Sequence, residues 1–155
     1  MISPTTAKPL HKPEVMESRS AHTQQSPIRE FMTPMPHTIG RDQSLSIAHE
    51  HMHAWNVRHL PVLDGGTLVG ILSQRDVLLV ETLRDVDPTK VPVEDAMSTD
   101  LYVVDPDVPL SDVAAVMADR KYGCAIVASG RHVVGIFTTI DALRILFPPR
   151  KEGSA

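Results

Sequence analysis

Residues 58–78 read RHLPVLDGGTLVGILSQRDVL, two short apolar runs at 60–63 and 68–72 joined by Asp64, Gly65 and Gly66. Paired glycines between two β-prone runs predict a hairpin, because the tight connection needs positive φ values that glycine adopts without a Cβ clash. Ser73, three residues before Asp76, then marks the start of a helix, since a hydroxyl and an acid at that spacing can satisfy free amides of the first turn. The same grammar returns at 121–143, KYGCAIVASGRHVVGIFTTIDAL. There the strands fall at 125–128 and 133–137, Ser129 and Gly130 form the turn, and Thr138 and Asp141 open the helix.

Upstream, the correspondence continues at one constant offset without a gap. Met32 falls on Met97, Asp42 on Asp107, Leu45 and Ser46 on Leu110 and Ser111, Met52 on Met117, Val62 on Val127, and Gly70 on Gly135. About a quarter of the aligned positions are identical, which identifies an internal duplication. Each copy begins with a short strand, at 37–39 or 102–104. A helix opened by Asp42 or Asp107 follows, with apolar residues at Leu45, Ala48 and Met52 or at Leu110, Val113 and Met117. The expected order in each copy is strand, helix, strand, strand, helix, an α/β (α+β) unit made twice.

Around the copies, residues 1–27 are rich in Pro, Ser, Thr, Gln and His without apolar periodicity, the composition of a flexible N-terminal arm. The expected division is arm 1–27, first unit 28–84, linker 85–92 (DVDPTKVP), second unit 93–147 and tail 148–155. A chain of 155 residues with 42% hydrophobic content has room for one core shared by two small halves. Net charge −4 and a pI near 6.0 lack the basic excess that condenses on nucleic acid or anionic membrane, so neither is an expected partner. The single cysteine, Cys124, sits in the apolar run CAIVA and reads as a buried, inert thiol. With no apolar signal core and no run of about 18 apolar residues, a cytoplasmic location is expected.

One motif invites a catalytic reading. His49 to His53, HEHMH, satisfies H-E-x-x-H, the zinc-ligand and general-base pattern of many metalloproteases. The second copy places Ala114, Ala115, Val116, Met117 and Ala118 on the same helix positions, and no third ligand follows in AWNVRHLPVLDGG. The expected reading is a histidine-rich face that is solvated or packed on a partner; transition-metal binding by His49 and His53 at i, i+4 stays open. Trp55, near the end of that helix, reads as packing or an interface anchor. No nucleophile with a base, acid pair or phosphate loop accompanies these residues, so no enzyme activity is expected.

The repeat starts, MTPMPHTI and MSTDLYVV, together with the two hairpin stretches, resemble a tandem pair of CBS (cystathionine β-synthase) domains, the Bateman module, over residues 28–147. That resemblance implies two half-domains packed about a pseudo-twofold axis with two clefts between them. It implies a regulatory module for adenosine compounds such as AMP, ADP, ATP or S-adenosylmethionine, which is a regulatory ligand rather than a cofactor. The family pattern G-h-h-[ST]-x-x-D stands here at Gly70 to Asp76 and at Gly135 to Asp141. By resemblance Asp76 and Asp141 accept ribose hydroxyls, Ser73 and Thr138 face ribose or phosphate, and Ile71 and Ile136 lie against the base. The family also lines its clefts with His37, Val57 and Arg58 from the first copy and with Tyr102, Tyr122 and Gly123 from the second. Arg58 and Arg75 could fork to phosphate, and the tyrosines could offer faces to a base. Ala125-Ile126 replaces Leu60-Pro61, a departure from the pattern near Tyr122 and Gly123.

Helix capping alone also accounts for Ser73 with Asp76 and Thr138 with Asp141, and both readings stand on sequence grounds. The resemblance further implies a helix-mediated homodimer, in which Trp55 beside His51 and His53 would suit the seam. The expected function is a non-enzymatic module that binds adenosine nucleotide and signals occupancy to an unidentified protein target. The alternatives are a ligand-free dimerisation or docking module and a metal-linked sensor using His49 and His53.

Overall fold

The computed structural model describes residues 20–149. A helix α1, described over residues 20–25, precedes two pseudo-equivalent units. The first holds β1 (Thr33–Pro34), β2 (Ile39–Gly40), α2 (Leu45–Trp55), β3 (His59–Asp64), β4 (Thr67–Ser73) and α3 (Gln74–Glu81). The second holds β5 (Val103–Val104), α4 (Leu110–Arg120), β6 (Cys124–Ser129), β7 (His132–Thr138) and α5 (Thr139–Leu146). This is the mixed α/β duplication expected: β2-α2-β3-β4-α3 and β5-α4-β6-β7-α5 both follow the strand, helix, strand, strand, helix order, and β1 is additional to it. No helix among the described residues is long and apolar enough to cross a membrane.

The hairpins form where the glycines stand. Gly65 and Gly66 adopt φ of 56° and 86°, and Gly130 adopts 61°. Each hairpin carries its irregularity at the matching place, Val62/Leu63 and Val127/Ala128. The core faces of the long helices are the apolar triplets of the sequence pattern: Leu45, Ala48 and Met52 in α2, and Leu110, Val113 and Met117 in α4. The helix starts differ from expectation. Ser44 caps α2 through its hydroxyl and Pro109 precedes α4, rather than Asp42 and Asp107. Those aspartates belong to the preceding turns, where the Asp107 carboxylate pairs with Arg29.

The two units are laced together by their leading segments. The sheets run β2-β3-β4 and β1-β7-β6-β5, so β1 leaves the first unit and pairs antiparallel with β7 of the second. Reciprocally, Ser98 bridges Ile71 on β4 through two backbone hydrogen bonds of 2.9 Å. Ile28 lies fully buried in the second unit's core, and Val93 in the first unit's. The Ile28 amide donates to Val108 O at 2.8 Å and the Val93 amide to Gln43 O at 2.7 Å. This exchange explains the glycines of the repeated motif. A Cβ at Gly70 would collide with the Met97 side chain and stand 3.1 Å from Ser98 O, and one at Gly135 would collide with Met32.

The expected arm 1–27 lies mostly outside the described residues, as does the tail beyond residue 149. Where described, the arm departs from a flexible chain: α1 leads into Ser26, whose carbonyl accepts from Leu110 N at 2.9 Å, and Pro27 bridges Pro109. Segment 85–92 is likewise fastened, with Val91 O accepting from Leu45 N and Pro88 O from Ser46 N.

Candidate functional site

The HEHMH helix is resolved into separate local contacts. His49 Nδ1 lies 2.8 Å from Glu81 Oε1 on α3, and His51 tilts against Trp55 with ring centroids 4.3 Å apart. The His51 Nδ1 is buried without a hydrogen-bond partner among the described residues, and His53 is exposed. Among the described residues no group of three or more His, Cys, Asp or Glu is placed to hold a metal ion. Because the His49–Glu81 pair is partly solvated, His49→Ala with His53→Ala should change unfolding free energy by no more than about 1 kcal/mol, read by urea titration.

The repeated acid has a different environment in each copy. At the end of β4, Ser73 caps α3: its hydroxyl accepts from Asp76 N at 3.2 Å, while Asp76 Oδ2 accepts from Ser73 N at 2.8 Å and from Ser73 Oγ at 2.7 Å. Thr138 and Asp141 form the same reciprocal cap on α5. The caps therefore exist in both copies. The second carboxylate oxygen distinguishes them. Asp141 Oδ1 lies 3.7 Å from Arg144 Nη1, whereas Leu79 occupies the corresponding position of α3 and Asp76 Oδ1 has no ion-pair or hydrogen-bond partner among the described residues.

Asp76 borders a cleft of about 970 Å³ between the two units. The crossing of segment 96–102 over β4 places Tyr102, Tyr122 and Gly123 of the second copy opposite Ile71, Ser73, Arg75 and Asp76 of the first, with Arg58 beside them. His37, Val57, Ile136, Thr138 and Asp141 do not line this cleft. Arg58, expected with His37 and Val57 and apart from the tyrosines, lies apart from His37 and Val57 and in the same cleft as Tyr102 and Tyr122. His37 instead stacks on Trp55, with ring centroids 4.0 Å apart and planes within 7°. Trp55, expected as an interface anchor, is thus covered on its faces by His37 and His51 and stays 37% exposed.

Several cleft residues were missed from sequence: His59, Asp100, Arg120 and Lys121. Tyr122 donates its hydroxyl to Asp100 Oδ1 at 3.0 Å, and this bond holds the phenol above its ordinary pKa. Tyr102 packs parallel to Tyr122, with centroids 5.5 Å apart and an interplanar angle of 12°. Burial pushes the Cys124 thiol up to about 12, so it stays protonated and inert as expected.

His59 lies at the base of the cleft, where burial lowers its pKa against the opposing pull of Asp76. With a folded pKa below the unfolded 6.5, the unfolded chain binds the extra proton first as pH falls. The stability held above pH 6.5 is therefore lost progressively below it, down to the folded pKa. Melting temperature should drop between pH 7.5 and 5, and His59→Gln should flatten part of that slope.

The sequence of this duplicated chain matches the CBS domain family profile at residues 28–81 and 93–148. The chain belongs to the CBS domain family, as a tandem pair. It is 31% identical over 130 residues to the CBS domain-containing protein YhcV of Bacillus subtilis, covering 84% of this chain and 92% of that one. Against other curated relatives it spans as little as 14% of their length. Among solved structures, the CBS domain pair of protein MJ0100 in complex with 5-methylthioadenosine and S-adenosyl-L-methionine superposes with a TM-score of 0.69 at 25% identity, covering 78% of this chain and 95% of that one. CBSX2 in complex with AMP gives 0.68 at 26% identity, covering 78% and 96%.

Proposed function

We propose that the chain is a non-enzymatic regulatory module that takes one adenosine nucleotide in the seam cleft and signals its occupancy to a protein target. The observation that carries this reading is the uncommitted Asp76 Oδ1 at a cleft faced by two tyrosines. A carboxylate oxygen with free lone pairs can accept both hydroxyls of a ribose while its other oxygen keeps the helix cap. The tyrosine rings already contact each other, so the base stacks on an outer face, with Ile71 opposite. Solved relatives with AMP and with adenosyl compounds bound support the ligand class.

Signalling follows from the cleft's two-sided wall. A ligand held by both units favours whichever relative placement fits it, by no more than its differential affinity for the alternatives. The assembly that reads this placement is a homodimer through α3 and α5, where Leu79 (64%), Leu143 (54%) and Leu146 (70%) are exposed, with Phe147 (79%) just past the end of α5. Leu78 and Leu79 also border the cleft, so occupancy and packing share α3.

Calorimetry with AMP, ADP, ATP and S-adenosylmethionine tests the reading. The expected result is saturable binding of at least one compound at one molecule per chain. Failure of all four would overturn it and leave the docking module ahead. Sedimentation at tens of micromolar should show a dimer that Leu143→Glu converts to monomer.

A further inference from the structure

Comparing the two copies position by position shows where charge has been gathered. The cleft has four basic side chains, Arg58, Arg75, Arg120 and Lys121, facing two carboxylates, Asp76 and Asp100. At the matching positions the other copy holds Gly123, Ile140, Trp55 and Asn56, none of them basic. The fold is thus built equally well without these cations, so its architecture does not demand them. None of the four forms an ion pair among the described residues, whereas Arg29, Arg41 and Arg144 each do. Four cations against two carboxylates leave the cleft lining with an excess of positive charge. Lys121 ends α4 in the left-handed region at φ 59°, as Asn56 ends α2 at φ 52°, so the shared helix cap sets the backbone there and only the side chain differs.

The hydroxyl expected to meet phosphate is already engaged. Ser73 has one hydroxyl proton, and it is donated to Asp76 Oδ2 at 2.7 Å. A phosphate accepts hydrogen bonds, so contact with Ser73 as a donor would give up its bond to Asp76 Oδ2, although the two backbone amide bonds of the cap would stay. The charged donors that face the cleft are the guanidinium and ammonium groups, which make the stronger bonds to an anion.

Resting on the adenosine reading above, we propose that this cleft selects its ligand by charge. It takes adenosine carrying phosphate and discriminates against adenosine compounds that are neutral or cationic at that end, with Arg120 and Lys121 as the specificity-determining residues. Arg58 and Arg75 face them from the other unit, so the phosphate is gripped across the seam. Neutral methylthioadenosine and S-adenosylmethionine, whose sulfonium adds positive charge, gain nothing from that grip.

The test is calorimetry of the full chain in one buffer with AMP, ATP, adenosine, methylthioadenosine and S-adenosylmethionine, repeated at two salt concentrations and with the Arg120→Ala/Lys121→Ala variant, its fold checked by thermal melting. The expected result is that AMP or ATP binds at least tenfold more tightly than adenosine and than S-adenosylmethionine. That preference should shrink with salt and fall at least fivefold in the variant. If adenosine or S-adenosylmethionine binds as tightly as the phosphorylated compounds, charge selection is overturned while the adenosine site stands. If the variant keeps the full preference, these two residues are not its source. Binding by none of the five removes the adenosine reading and this inference together.

Discussion

Ile28→Ala should destabilise the protein by about 2–5 kcal/mol, the cost of emptying a closed apolar site, although Ile28 precedes the unit whose core it fills. Ile28 is fully buried among Val104, Leu110, Val113, Met117 and Phe137 of the second unit. Its amide and that of Arg29 fasten it to Val108 O and Pro106 O, so the side chain cannot withdraw without breaking two backbone hydrogen bonds. Ile28→Val should cost only about 0.5–1.5 kcal/mol, because one methylene is removed and the site remains filled. Val93 plays the same part for the first unit, so Val93→Ala should act in the same direction. Because each unit lends a residue to the other's core, urea unfolding of all these variants should remain a single transition with an unchanged slope. A variant in which one unit melts well before the other would show that the exchange does not couple them.

That exchange is the part of the fold the sequence did not disclose. The hairpins, the helix faces and the duplication were legible, because each depends on local spacing: glycines with positive φ at 65, 66 and 130, and apolar triplets at helical intervals. Nothing local tells which unit Ile28 or Val93 will enter. Met32 and Met97 were visible as a matched pair, but their role as the side chains lying over Gly135 and Gly70 depends on a crossing between units. The same crossing hid the membership of the cleft. Tyr102, Tyr122 and Gly123 were named as lining residues, yet their meeting with Asp76 rather than Asp141 follows from segment 96–102 passing over β4. Arg120 and Lys121 lie outside the pattern that the two copies share. The informative signal there was what they do not share, basic residues where the other copy has Trp55 and Asn56.

The two aspartates of the repeated motif provide a controlled experiment within one chain. Both sit at N3 and accept the N-cap amide through Oδ2, so replacing either with alanine should cost about 1 kcal/mol of stability, the scale of one hydrogen bond. Only Asp76 lines the cleft with a second oxygen unspent, while Asp141 Oδ1 faces Arg144. Asp76→Ala should therefore weaken AMP or ATP binding by about 1.5–3 kcal/mol, the range for hydrogen bonds to a charged group, which is roughly ten- to a hundredfold in Kd. Asp141→Ala should leave that affinity within about twofold, since 0.4 kcal/mol is the scale of an indirect effect between separated sites. The shared loss of cap stability cancels in the comparison, so the difference in affinity reports the ribose contact alone. Equal and large losses in both variants would mean that a second nucleotide sits against Asp141; equal and negligible losses would mean that both acids cap helices and nothing more.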